Sequence, residues 1–132
     1  FGLAGDPVYL LDTNIVIALI NGTQGRLPRR LRELLSRPAS SLSVSVVSPW
    51  EIAIKASARR LELLVPREDL AQWFEQSGLT LLPMTIAHAF EVAHPEPATK
   101  DPFGRLVLAV CACEGLKLLT TDSGLAGHRL VY

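Results

Sequence analysis

Four carboxylates, Asp12, Glu51, Asp101 and Asp122, stand where they could share one site. Asp12 follows the apolar run Val8–Leu11, and Asp122 follows Leu118–Thr121, so each ends an expected strand. Glu51 and Asp101 open expected helices, in Ser48-Pro49-Trp50-Glu51 and Asp101-Pro102-Phe103-Gly104. In a parallel α/β sheet the carboxyl ends of strands and the amino ends of the following helices lie on one edge, where ligands bind. Carboxylates gathered there repel and raise one another's pKa. A divalent cation removes that conflict. Mg²⁺ takes a few carboxylates and keeps its waters, so it can activate a water and stabilise charge on a transferring phosphoryl group.

Each acid also has a plainer account. Asp12 and Asp101 suit helix N-caps. Glu51 completes a capping box with Ser48 as the cap and Pro49 at the first helical position. Asp122, followed by Ser123 and Gly124, suits a turn. These accounts treat the acids singly and leave their common edge unexplained. Other chemistries find little support. His88, His94 and His128 are scattered without a partner at ligand spacing and read as surface or loop residues. No Ser-His-Asp or Cys-His order and no glycine-rich phosphate loop is present. Cys111 and Cys113, two apart in an expected helix, point to different faces and suit neither a disulfide nor a zinc site. They read as small apolar residues of a reducing cytoplasm.

The elements that must position these acids follow from the hydrophobic pattern. Val8–Leu11 is a strand, and the apolar stretch from Thr13 to Ile20 is a buried helix. Pro28–Ser36 carries Leu31, Leu34 and Leu35 at helical spacing; Leu42–Val46 alternates as a strand; and a helix runs from Ser48 to about Arg60. Arg67–Ser77 is a helix stopped by Gly78, Leu79–Leu82 a strand, and Thr85–Ala93 a helix capped by Thr85. Asp101 opens a helix to about Glu114, apolar almost all round and therefore core. Leu118–Thr121 is a strand, and Arg129–Tyr132 reads as a last edge strand. Alternating strands and helices imply an α/β sandwich on a small, mainly parallel sheet of four or five strands, one domain over residues 1–132.

Composition bounds the function. With 48% hydrophobic and 20% charged residues the chain is globular rather than disordered. Thirteen basic and thirteen acidic side chains cancel, which argues against holding nucleic acid by bulk charge. A local patch is still open to it: Arg26, Arg29, Arg30, Arg32 and Arg37 cluster around one helix, as a solvated face or a phosphate-contacting one. No apolar run reaches roughly 18 residues, so no membrane span is expected. Phe1–Asp6 lacks the basic start of a signal peptide.

Four segments together carry a resemblance: Leu11-Asp12-Thr13-Asn14, Trp50-Glu51-Ile52-Ala53-Ile54-Lys55, Asp101-Pro102-Phe103-Gly104-Arg105-Leu106 and Thr120-Thr121-Asp122. In this order, over nearly the whole chain, they resemble the PIN-domain ribonucleases, and within them the VapC-type toxins of toxin–antitoxin pairs. The resemblance implies a PIN-like three-layer sandwich. It implies an endoribonuclease dependent on Mg²⁺ or Mn²⁺, cytoplasmic, homodimeric, acting on RNA and inhibited by a small VapB-like antitoxin. It assigns catalysis to Asp12, Glu51 and Asp122, metal binding to Asp12, Asp122 and Asp101, and an orienting role to Thr13 or Asn14. One position departs: the family's third acid follows the Asp-Pro-Phe triplet, where this chain has Gly104. That departure opens an alternative, a catalytically weakened module that mainly binds an antitoxin-like partner. A third reading is a phosphohydrolase with a strand-end Asp nucleophile, as in haloacid dehalogenase-like enzymes. It wants a second Asp two residues on, and that position is Asn14.

Overall fold

The computed structural model describes residues 8–38 and 41–132; Phe1–Asp6 lie outside the described residues. Four short strands, β1 (Tyr9–Leu11), β2 (Leu42–Ser45), β3 (Thr80–Leu82) and β4 (Lys117–Leu119), form a wholly parallel sheet in the order β3-β2-β1-β4. The helices are α1 (Thr13–Ile20), α2 (Arg29–Leu35), α3 (Val47–Ser57), α4 (Leu70–Gln76), α5 (Ile86–Phe90) and α6 (Pro102–Glu114). Short 3-10 turns, Gln24–Arg26 and Arg67–Asp69, precede α2 and α4.

The period-two alternation of the strands builds the layers. Leu11, Val44 and Leu119 face one core with Ile15 and Val16 of α1, Leu31 and Leu34 of α2, Ile52 of α3 and Phe74 of α4. Leu10 and Leu118 face the other with Val107, Leu108, Val110 and Cys111 of α6. A sheet buried on both faces suits parallel strands, and β1, at an inner position, is almost wholly apolar. On β2 the alternate residues are serines, yet they are buried and satisfied: Ser43 Oγ donates to the Tyr9 carbonyl at 2.8 Å, and Ser45 Oγ accepts from the Val47 N–H at 3.2 Å. The helix α6 ends where expected, at Gly115, whose φ of 69° is left-handed and natural for glycine.

Several boundaries differ from the sequence pattern. The helix α3 begins at Val47, ahead of the expected Ser48 cap, and stops at Ser57. Val46, expected in the strand, instead precedes the helix, its N–H donating to the Leu82 carbonyl at 3.0 Å. Arg129–Tyr132 forms no strand; Val131 makes one isolated parallel bridge to Leu118. His88 is not a surface residue. It is 2% exposed, closes a capping box with Thr85, and its Nε2 lies 2.9 Å from Glu114 Oε2, tying α5 to α6. Cys111 is buried, which pushes its thiol up to about 12 and leaves it inert, whereas Cys113 is only partly buried.

Candidate active site

Parallel pairing puts the carboxyl ends of β1, β2 and β4 on one edge, and the polar side chains that follow them meet there. The Asp12 N–H donates to the Leu119 carbonyl at 2.9 Å, so the first site residue is locked to the end of β4. Asp12 is the N-cap of α1. A capping carboxylate ordinarily serves the second or third helical N–H. Here Asp12 Oδ1 accepts from the Thr13 N–H at 2.9 Å, and Oδ2 accepts from the Thr120 hydroxyl at 2.6 Å. The side chain therefore lies across the strand ends, only 8% exposed.

The second acid arrives from α3. Starting the helix at Val47 sets aside the capping box expected of Ser48 and Glu51: Val46 is the N-cap and no side chain caps the helix. Both side chains turn inward instead. Glu51, 5% exposed, accepts from the Thr13 hydroxyl at 2.6 Å through Oε1, and its Oε2 pairs with Lys55 Nζ at 2.7 Å. Thr13 Oγ1 also lies 3.0 Å from the fully buried Ser48 Oγ. One hydroxyl carries one proton. With that proton given to Glu51, Ser48 must donate to Thr13, which fixes the direction of the chain Ser48→Thr13→Glu51.

Asp122 completes the edge. Its N–H donates to Thr120 Oγ1 at 2.9 Å, and its Oδ1 accepts from the Gly124 N–H at 2.8 Å, an Asx turn that holds the carboxylate at the mouth of the sheet. Thr120 thus bridges Asp12 and the Asp122 backbone. Burial pushes the Asp12 carboxyl above its usual value. The Thr120 and Thr13 hydrogen bonds pull it back, and the charges of Glu51 and Asp122 push it further up. Three of the four acids are therefore close enough to act on one another.

Asp101 and Asn14 are placed differently. Asp101 is exposed, and its Oδ1 accepts from the Phe103 N–H at 3.1 Å, the cap of its own helix. Asn14 is exposed on α1. Among the described residues no three His, Cys, Asp or Glu side chains form a ready metal cage. Gly104 is buried at the third position of α6, and a Cβ there would stand 3.6 Å from Leu125 Cδ2 and 3.7 Å from Asp101 Oδ2. The starts of α3 and α6 are tied by Trp50 and Phe103, whose rings meet edge to face at 5.7 Å. Sequence reasoning assigned no role to Ser48 beyond the cap, nor to Thr120 or Lys55. Lys55 had a signal, since it follows Glu51 by four residues on one helix face. Thr120 had only its place in the Thr120-Thr121-Asp122 segment, because its partner is 108 residues away.

The sequence matches the PIN domain family over residues 9–128. It is 33% identical to Ribonuclease VapC22 of Mycobacterium tuberculosis over 109 residues, 77% of this chain and 81% of that protein. The fold is similar to a toxin–antitoxin complex from Klebsiella pneumoniae, with a TM-score of 0.62 at 21% identity, covering 94% of this chain and 95% of that one. The parallel sheet, the acids at its carboxyl edge and these matches lead to one assignment: the chain belongs to the PIN-domain family, in its VapC-type branch.

Proposed function

We propose that this chain is a metal-dependent endoribonuclease, the toxin of a toxin–antitoxin pair, hydrolysing RNA phosphodiester bonds at the Asp12–Glu51–Asp122 edge. The observation that carries the reading is Asp12: a carboxylate buried beside two others, its pKa raised by burial and by their charges. Such a group asks for a cation, and an oxygen-only donor set asks for a hard one, Mg²⁺ or Mn²⁺. Asp12 and Asp122 are the residues that would hold it, with waters filling the remaining positions; Asp101, engaged as a cap, would contribute only after turning away from Phe103. When bound there, the ion would acidify a water and neutralise charge building on the phosphate.

The chain's own residues prepare that edge. Thr120 and the Thr13 N–H fix the two oxygens of Asp12 and leave each a free lone pair. Ser48 and Thr13 hold Glu51 Oε1, so its carboxylate is positioned to accept a proton from an attacking water. Lys55 neutralises the outer oxygen of Glu51 and keeps a buried charge paired. A VapB-like antitoxin would have an apolar cleft to occupy, about 380 Å³ and lined by Leu19, Leu35, Leu42, Trp73 and Leu79. The exposed apolar side chains of Trp50, Ile86 and Phe90 favour a homodimer.

Gly104 favours a second reading, a weakened nuclease kept as an antitoxin-binding module. Calorimetric Mn²⁺ titration with cleavage of single-stranded RNA, parent beside Asp12→Asn, separates the two. Saturable Mn²⁺ binding and EDTA-sensitive cleavage, both lost in the variant, support the enzyme. A parent that binds no metal and cuts no RNA supports the module.

A further inference from the structure

Beside the acid edge lies a cavity of about 360 Å³, walled by Arg30, Thr121, Asp122, His128, Val131 and Tyr132. Asp122 and Thr120, which also lines it, link the cavity to the proposed chemistry; the roles given above use none of its other walls. Its volume is near the lower end of the roughly 300–1,000 Å³ found for ligand sites, room for one nucleotide rather than a duplex. One wall is a built platform. Arg30 Cζ stands 5.2 Å from the centre of the Tyr132 ring, and its Nη2 donates to the Tyr132 main-chain oxygen at 3.0 Å. Tyr9 braces the same ring edge-on, at 5.6 Å and 85°. Arg30 and Tyr132 are both exposed, so stacking surface is presented to solvent in a fixed orientation.

We propose that this cavity seats a nucleotide of single-stranded RNA flanking the cleaved phosphodiester, its base stacked on the Arg30–Tyr132 platform. The proposal rests on the ribonuclease reading of the Asp12 edge. Unpaired bases stack on aromatic rings and on Arg planes, and bound single strands use both. The electrostatics of the cavity favour stacking over charge. His128 spends both ring nitrogens: Nδ1 accepts from the Leu130 N–H at 3.1 Å, so Nε2 carries the proton and donates to the Pro95 carbonyl at 2.7 Å. The ring is a neutral wall. Arg30 is then the one cation lining the cavity among the described residues, and it shares the lining with Asp122, on a chain of zero net charge. A strand held this way is retained by its base face, with a shallow dependence on salt.

The test is fluorescence anisotropy with a labelled, short single-stranded RNA of randomised sequence in EDTA, run with Mn²⁺-supported cleavage of the same RNA. Arg30→Ala and Tyr132→Leu should each weaken binding about tenfold. Tyr132→Phe should keep it, and Arg60→Ala, away from the cavity, should not change it. Arg30→Lys keeps the charge but loses the plane, and should weaken binding as alanine does. Full affinity in Arg30→Lys would make the contact one of charge and overturn the stacking. Unchanged binding in both Arg30→Ala and Tyr132→Leu, with a parent that binds and cuts, would overturn the cavity assignment and leave the ribonuclease reading standing. A parent that neither binds nor cuts RNA would overturn both.

Discussion

Restoring a carboxylate at position 104 tests the site from its weakest point. In Gly104→Asp the new Cβ meets only ordinary contacts, 3.6 Å from Leu125 Cδ2 and Thr99 Cγ2 and 3.7 Å from Asp101 Oδ2, so the backbone need not move. Two terms favour the variant. Replacing glycine inside a helix contributes a few tenths of a kcal/mol. A negative charge in the first turn of α6 adds roughly 0.3–1 kcal/mol through the helix dipole. Two terms oppose it. The carboxylate enters a buried position, at about 1–3 kcal/mol without a full set of partners. It also lies near Asp101, where like charges about 4 Å apart repel by at least ~1 kcal/mol even under strong screening. The costs win in EDTA, by about 1–3 kcal/mol. Since about 1 kcal/mol moves Tm by roughly 2–8 °C in domains near this size, melting should fall by several degrees. A cation held by Asp12 and Asp122 would take the new carboxylate as a further ligand and reverse the sign. The assay is thermal unfolding of parent and variant across a Mn²⁺ titration, with cleavage of single-stranded RNA alongside. The variant should melt below the parent in EDTA and above it in Mn²⁺, and cut faster. An equal deficit with and without Mn²⁺ would refute the reasoning, because it would place residue 104 away from the metal.

The remaining predictions concern the buried network. The folded Asp12 carboxyl is raised above 3.8, so the stability it contributes is complete below that value and is lost as pH rises through its folded pKa. Asp12→Asn should therefore raise the metal-free Tm near pH 7 and have little effect below pH 3.8; thermal scans against pH in EDTA check this, and a lower Tm at neutral pH would contradict it. Thr13→Val removes the donor to Glu51 and the acceptor of Ser48, and should cost about 1–3 kcal/mol by urea unfolding, with Thr13→Ser recovering most of it. Glu51→Gln can still accept from Thr13 and loses only the ion pair to a half-exposed Lys55, so denaturant stability should fall by less than about 1 kcal/mol while cleavage collapses. Cleavage unchanged in that variant would remove Glu51 from the chemistry.

Asp12 and Asp122 were legible because strand ends in an alternating pattern carry their own address: once the sheet is parallel, both acids reach the same edge. Glu51 was legible as a carboxylate reaching that same edge, but its local role was not. Ser48-Pro49-Trp50-Glu51 has the grammar of a helix start, yet Val46 bonds to Leu82 and Ser45 takes the Val47 N–H, so the cap falls two residues earlier, at Val46, and the two polar side chains rotate inward. That pairing belongs to β3, far along the chain. His88 was misread for a related reason. Its capping box with Thr85 is local and could have been anticipated, but the carboxylate that keeps it satisfied in the interior, Glu114, lies 26 residues on. The cavity behind Asp122 was invisible because its platform joins Arg30 to Tyr132 across 102 residues.

The hydrogen bond between Thr120 and Asp12 spans 108 residues, and β1 pairs with β4 over the same interval. Closing so long a loop delays a contact during folding, because the entropy is lost before the contact forms. It also sets an order of events in synthesis. The first strand and its carboxylate are made well before the hydroxyl that orients that carboxylate, the second edge acid and the strand that fixes both. A nascent chain that has not yet reached β4 thus has Asp12 without the hydroxyl that orients it, and the acid edge assembles only once that later strand has been made and paired with β1.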